Sequence, residues 1–367
     1  MSKKIALLFD RTYIDAHHCF MELANQLVSS GFEVDLYMVF NPYNNQPFFE
    51  SKKVRILPFP ESKFQKIEYW TNILRAKDRK YSAIIATPIK GAWLARRTAR
   101  LQKIPYYYLA DELVKHLLDN SPAVQRKKLE KWNYLANKGA AATIALGEDR
   151  YQTQIELNKI DYAHDHIIIP NAPSGEPRKL RSNYFRDLFN IEDRKPILLF
   201  AGTLNWQLAR RLYEETKNYS DREYHLVFHA RTLGQMGEES HPFIKISTVP
   251  VPANMMNYVV GSADIGLALY DKNSLHETRN GITGGKLGTY LKNELPLIAG
   301  SAENLRVFAD AGVGEYWDGE TPFDTVAMHT IKNLDIYRKN IPPFYREHFQ
   351  YEIFFETLLR HLSKPLN

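Results

Sequence analysis

Short apolar runs alternate with helix-period stretches along the whole chain. "KKIALLF" at residues 3–9 is continuous and apolar, as a strand buried on both faces should be. "HHCFMELANQLVSSGFEVDLYMVF" then supplies an amphipathic helix, a glycine stop and a second apolar run. Strand, helix and strand in that order open a parallel sheet. The pattern recurs with "YSAIIATP" as a strand, "GAWLARRTARLQ" as a helix and "IPYYYLADEL" as a strand and its end. "AAATIALG" is another strand, "DRYQTQIELN" a helix, and "DHIIIPNAPSG" a last strand running into a turn.

That turn, "PNAPSGEP" at 170–177, reads as a linker between domains. Beyond it the alternation restarts. "KPILLFAGTL", "EYHLVFHAR" and "DIGLALY" read as strands, and "WQLARRLYEET" and "PANMMNYVVGSA" as helices. "GGKLGTYLKNELPLIAG" gives a helix and a strand; "AENLRVFADAG" and "VGEYWD" continue the series. The tail, "PPFYREHFQYEIFFETLLRHLS", reads as one amphipathic, aromatic helix. Two successive alternating halves predict two doubly wound α/β domains with a ligand cleft between them.

Length agrees: 367 residues suit two domains. A single cysteine, Cys19, rules out an internal disulfide and predicts a reducing compartment. The basic start "MSKKIALLFDRTYID" has too short an apolar run for a secretory signal, and no stretch is apolar enough to span a bilayer. A cytoplasmic protein, soluble or peripheral, is expected. Charge sharpens this picture. Residues 1–175 hold 25 Lys and Arg against 18 Asp and Glu, whereas residues 176–367 hold 23 against 24. Residues 52–103 alone carry 14 basic and 3 acidic residues. Such a patch fits an anionic partner or a solvated basic face.

The most chemical stretch is 280–300. Gly284 and Gly285 precede a helix, and Lys286 adds a cation at its start. Glycines there let backbone N–H groups approach a ligand, and the helix dipole favours an anion. A phosphate or diphosphate site is one reading; a glycine pair that permits tight helix–strand packing is the other. Neither the P-loop spacing nor the dinucleotide fingerprint is present.

"GGKLGTYLKNELPLIAG" resembles the C-terminal-domain signature of GT-B glycosyltransferases. "IIIPNAPSG", "PILLFAGTLNW", "SADIGLALY" and "YEIFFETLL" are similar to other segments of that family, in the same order. The resemblance implies two Rossmann-like domains facing across a cleft: an acceptor domain at 1–172, a nucleotide-sugar domain at 173–345, and a closing helix at 346–367 that crosses back. It implies a sugar donor whose diphosphate is held by Gly284, Gly285 and Lys286, with Thr283 beside them. No metal or other cofactor is expected. The implied reaction is transfer of a sugar to a surface glycan or glycolipid.

The chain departs from the family at the acidic pair of its retaining members. Gly281 and Thr289 stand in those two positions, so Thr289 offers only a hydroxyl to the donor. Thr203 stands where an arginine often follows the first strand of the domain, leaving Arg231 or Arg279 to supply phosphate charge, with Glu277 in the same loop. These departures keep two alternatives open: a GT-B-fold nucleotide-sugar epimerase and an inactive glycan-binding or partner subunit. For a base, "DRTYIDAHHC" places Asp10, Asp15, His17 and His18 after the first strand, and "YLADEL" places Asp111 and Glu112 after another. Asp15, His17, Asp111 and Glu112 are the candidates, though Asp111 also suits a helix cap. His229 ends a strand of the second half.

No Cys/His cluster suggests zinc, and no G-x-S-x-G elbow suggests a hydrolase. No recognition motif supports nucleic-acid binding. "SKFQKIEYWTNILRAKDRK" and "VQRKKLEKWNYL" combine basic and apolar positions, fitting either an anionic bilayer or packing on the sheet.

Overall fold

A computed structural model describes residues 3–10, 18–40, 49, 51–60, 81–111, 123–158, 165–202, 204, 207–218, 221–230, 241–270, 281–300 and 302–363. The chain forms two compact units. The first comprises Met1–Pro170 with Tyr351–Asn367, and the second Asn171–Gln350.

The first unit contains β1 (Lys4–Phe9), α1 (His18–Ser29), β2 (Glu33–Phe40), β3 (Val54–Pro60), β4 (Ala83–Thr87), α2 (Ile89–Gln102), β5 (Tyr106–Ala110), α3 (Ala123–Lys138), β6 (Ala142–Ala145), α4 (Glu148–Asn158) and β7 (His166–Ile168). Its strands lie in the order β3-β2-β1-β4-β5-β6-β7, all parallel. Side chains alternate across the sheet. Ile5, Leu7 and Phe9 of β1 face α1, while Ala6 and Leu8 face the other way, toward α2.

The second unit contains α5 (Tyr184–Phe189), β8 (Ile197–Ala201), α6 (Gln207–Thr216), β9 (His225–His229), β10 (Ile244–Ser247), α7 (Met256–Val260), β11 (Ile265–Leu269), α8 (Gly285–Lys292), β12 (Leu297–Gly300), α9 (Val307–Asp310), β13 (Gly314–Trp317), α10 (Phe323–Lys332) and α11 (Leu334–His348). The sheet order is β10-β9-β8-β11-β12-β13, again parallel. Each sheet reverses its winding once, between β1 and β4 and between β8 and β11.

The tail differs from the single helix expected. It is two helices, α11 and then α12 (Tyr351–Ser363), broken at Phe349 and Gln350. Pro342 and Pro343 lie inside α11 rather than at its start. Buried Tyr337, Ile341, Phe344 and Tyr345 recur at helical spacing on both sides of the prolines, so packing overrides their local cost. Tyr351, Phe355, Leu358 and Leu362 of α12 then join α1 on the first sheet.

At the reversal in the second sheet, β8 and β11 pair only through Ile265 with Leu198 and Gly266 with Leu199. The Tyr290 hydroxyl from α8 closes the gap. It accepts from the Ala201 N–H (2.8 Å) and donates to the Leu199 carbonyl (3.2 Å). The Tyr290 ring occupies the space a side chain on Gly266 would need: a Cβ there would lie 2.4 Å from it. Burial pushes the phenol's pKa up, so it stays a neutral donor. Tyr290→Phe should orphan both backbone groups and cost about 1–3 kcal/mol. Calorimetry should show a melting temperature lower by about 2–4 °C for each kcal/mol lost; a variant melting with the parent would refute the bridging role.

Candidate functional site

The first turn of α8 lies at the carboxyl ends of β8 and β11. Gly284 precedes the helix in extended conformation, and a Cβ on it would lie 2.3 Å from the Tyr270 hydroxyl. A Cβ on Gly285 would lie 2.8 Å from the Asn171 side-chain nitrogen. These glycines therefore act through close approach. The first N–H groups of a helix have no carbonyl a turn behind them to bond, and the cap residue here has no side chain to serve them. Thr283 is buried in the turn Gly281–Thr283 just before.

Lys286 points from this turn toward the end of β8. Its ammonium lies 4.4 Å from the Phe200 ring centre and 4.9 Å from that of Tyr270. It also lies 3.5 Å from where a Cβ on Gly202 would be. Gly202 has φ +147°, a conformation that disfavours any side chain, and its N–H donates to the His229 carbonyl (2.9 Å). A cation, a helix start and a glycine turn thus converge where the winding of the sheet reverses, the usual ligand position in an open α/β sheet. Thr289 lies one turn further along, buried, and its hydroxyl donates to the Gly285 carbonyl (3.0 Å), so that donor is used inside the helix.

His229 ends β9 nearby. Its Nδ1 pairs with the Ser247 hydroxyl at 3.1 Å, and burial pulls its pKa below the ordinary value of 6.5. Thr203, Arg231, Glu277 and Arg279 lie outside the described residues.

In the first unit the reversal gathers acids instead. Asp10 follows β1 and donates its N–H to the Thr87 carbonyl (3.1 Å). Asp111 follows β5. Thr87 donates its hydroxyl to Asp111 Oδ1 (2.7 Å), and buried Arg150 donates to the Asp111 carbonyl (2.5 Å). Thr87 therefore touches both acidic residues and fixes the Asp111 carboxylate. His18 opens α1. Asp15, His17 and Glu112 lie outside the described residues. Among the described residues, no three His, Cys, Asp or Glu side chains are placed to hold a metal ion. Sequence reasoning missed Phe200, Tyr270 and Thr87. Each reads as ordinary core, and only the fold puts it at a strand's functional end.

Two expectations follow. Gly284→Ala should lose about 1–3 kcal/mol through overpacking against the Tyr270 hydroxyl. Adding Tyr270→Phe should restore most of the loss in thermal melts; additive losses would show that the contact is not the cause. For His229, the folded pKa lies below the unfolded one, so only the unfolded chain takes up a proton just below pH 6.5. Its contribution is intact above that pH and is lost as pH falls toward the folded pKa. His229→Gln should flatten the fall in stability below pH 6.5, measured by denaturant unfolding across pH; an unchanged slope would contradict this.

No family model and no curated protein matches the sequence. Solved structures do match along almost the entire chain. Anabaena HepE in complex with UDP-glucose superposes with a TM-score of 0.68 at 11% identity, over 98% of this chain and 99% of that one. A glycosyltransferase from Rickettsia africae gives 0.66 at 12% identity, over 99% and 98%. Sucrose-phosphate synthase from Thermosynechococcus elongatus gives 0.62 at 14% identity, over 98% and 99%. With its two parallel-sheet units, the chain therefore has the GT-B fold of these glycosyltransferases.

Proposed function

We propose that the protein is a glycosyltransferase that moves a sugar from a nucleotide-sugar donor to a hydroxyl of a surface glycan or glycolipid. One observation carries the reading: Lys286, the N–H groups at the start of α8 and the Gly202 turn converge on one point at the switch of the second sheet. That point suits the diphosphate of a donor. As the sugar–oxygen bond breaks, its electron pair stays on the diphosphate, and fixed positive charge there stabilises the transition state. Arg231 or Arg279 would add charge, with Thr203, Thr283 and Glu277 nearby in sequence. In this reading the chain's own groups meet the leaving charge without a resident metal.

The acceptor oxygen forms the new bond and gives its proton to a carboxylate or imidazole of the first unit. Asp111, positioned by Thr87, is our first choice; Asp15, His17 and Glu112 are the others. A glycolipid acceptor would put the enzyme at the cytoplasmic face of a membrane. The HepE complexes with UDP and UDP-glucose make a uridine nucleotide the first donor to try. The second reading is a catalytically inactive glycan-binding or partner subunit, which would bind without turnover. It is favoured by Gly281 and Thr289, which stand where retaining relatives carry acids, and by the internal use of the Thr289 hydroxyl.

Thermal melts with excess UDP, GDP, CMP or dTDP test the donor site. A nucleotide at a hundred times its dissociation constant stabilises by about 2.7 kcal/mol. At about 2–4 °C per kcal/mol, that is a shift of roughly 5–10 °C. One nucleotide should produce it, and Lys286→Ala should abolish it. No shift with any nucleotide would sink the reading, and a shift without sugar transfer would favour the second one.

A further inference from the structure

Helices α2 and α3 cover one face of the first sheet, and their apolar positions are already used. Ile89 packs on Leu129, Ala92, Leu94, Ala95 and Ala99 lie on the sheet, and Asn133 accepts from the Tyr108 hydroxyl at 3.3 Å. The apolar side of "VQRKKLEKWNYL" therefore packs on the protein, and what α3 offers solvent is mainly charge, with Tyr134 exposed and Trp132 half-buried among it. "SKFQKIEYWTNILRAKDRK" lies outside the described residues.

Across the seam of the two helices, Trp93 and Trp132 stack at 5.3 Å. The Arg97 guanidinium lies 4.1 Å from the Trp93 ring centre, and the Lys128 ammonium 4.7 Å from that of Trp132. Lys90, Arg126, Lys127 and Lys131 are exposed on the same two helices, and Glu130 is the one acid of both. Leu101, one turn on from Arg97, is 66% exposed.

We infer that this two-helix face docks the first unit on an anionic bilayer. The cations meet headgroup phosphates, while exposed Leu101 and the edges of the half-buried Trp pair, whose faces are taken, supply a small interfacial apolar contact. A nucleic acid fits less well. Each indole already carries the other ring and a cation over its face, so little surface remains for base stacking, on which single-strand binding depends. The charged side chains also lie on a helix surface that makes no base-reading motif. Position adds a functional point. Lys90, Arg126 and Lys127 stand at the starts of their helices, and α2 begins directly after β4, at the sheet end that carries Asp10 and Asp111. Docking there brings a lipid-linked acceptor to the acidic site. That last step rests on the glycosyl-transfer reading; the docking itself does not.

Vesicle co-sedimentation of the full chain tests it, using phosphatidylcholine alone and phosphatidylcholine with one part in three phosphatidylglycerol. Binding should require the anionic lipid and fall steeply with salt. The variant Arg126→Gln/Lys127→Gln/Lys128→Gln/Lys131→Gln should bind two to three orders of magnitude more weakly, at about fivefold per charge removed. Its nucleotide-induced melting shift should match the parent's, which shows that it is folded and separates this test from that of the donor site. Failure to bind anionic vesicles, equal binding by the variant, or tighter binding to single-stranded RNA at the same ionic strength would each overturn the inference.

Discussion

A parallel sheet must cover both faces with its crossover connections, so its winding has to reverse somewhere, and at that point two neighbouring strands send their chains to opposite sides. In the second unit the reversal separates β8 from β11 after two paired positions, leaving a backbone donor and acceptor inside the protein. Such orphaned groups are costly when buried. The Tyr290 phenol satisfies both, at Ala201 and Leu199. Because Tyr290 belongs to α8, the same bonds fix that helix against the strands. Its first turn, with Gly284, Gly285 and Lys286, is then aimed at the carboxyl end of β8. The glycine–lysine turn is set in place by a hydrogen-bonding requirement of the sheet.

Close packing holds the helix to that position. Gly266 admits the Tyr290 ring, Gly284 admits the Tyr270 hydroxyl, and Gly288 lets the entering segment approach, since a Cβ there would lie 2.7 Å from that of Ala172. The far end is tied as well: the Arg178 N–H donates to the Lys292 carbonyl at 2.7 Å. A helix wedged along its length presents its first N–H groups in one orientation, as the proposed stabilisation of a leaving diphosphate would require. Phe200 and Tyr270 wall the Lys286 ammonium. Aromatic faces attract a cation, so both rings favour a charged ammonium at this place.

Strand runs were legible in the sequence because strands buried on both faces are continuously apolar. β3 and β10 were not. "VRILPFP" carries prolines and "IKIS" a lysine, which only an edge strand tolerates, and an edge strand loses the continuous signal. The glycine pair left two readings open, anion approach and tight packing. The geometry shows the tight packing, in the contacts with Tyr270 and Asn171 at the helix start, which is also where the proposed anion would bind. Tyr290 could not be recognised, since its role depends on a gap between strands distant in sequence. The prolines of α11 misled for a related reason: buried residues on both sides hold a helix that local propensity would break.

The same topological constraint acts twice in this chain and gathers side chains of opposite charge. At the reversal of the first sheet, Thr87 joins Asp10 and Asp111, and Arg150 holds the Asp111 carbonyl. At the reversal of the second, a lysine and a helix start face the strand ends. Glycosyl transfer needs both: a group that accepts a proton from the incoming hydroxyl and a group that receives the charge of the outgoing diphosphate. Fold likeness alone does not assign that chemistry. The proposed assignment rests on the acids and the cation each standing at the carboxyl ends of strands next to the reversal of its sheet.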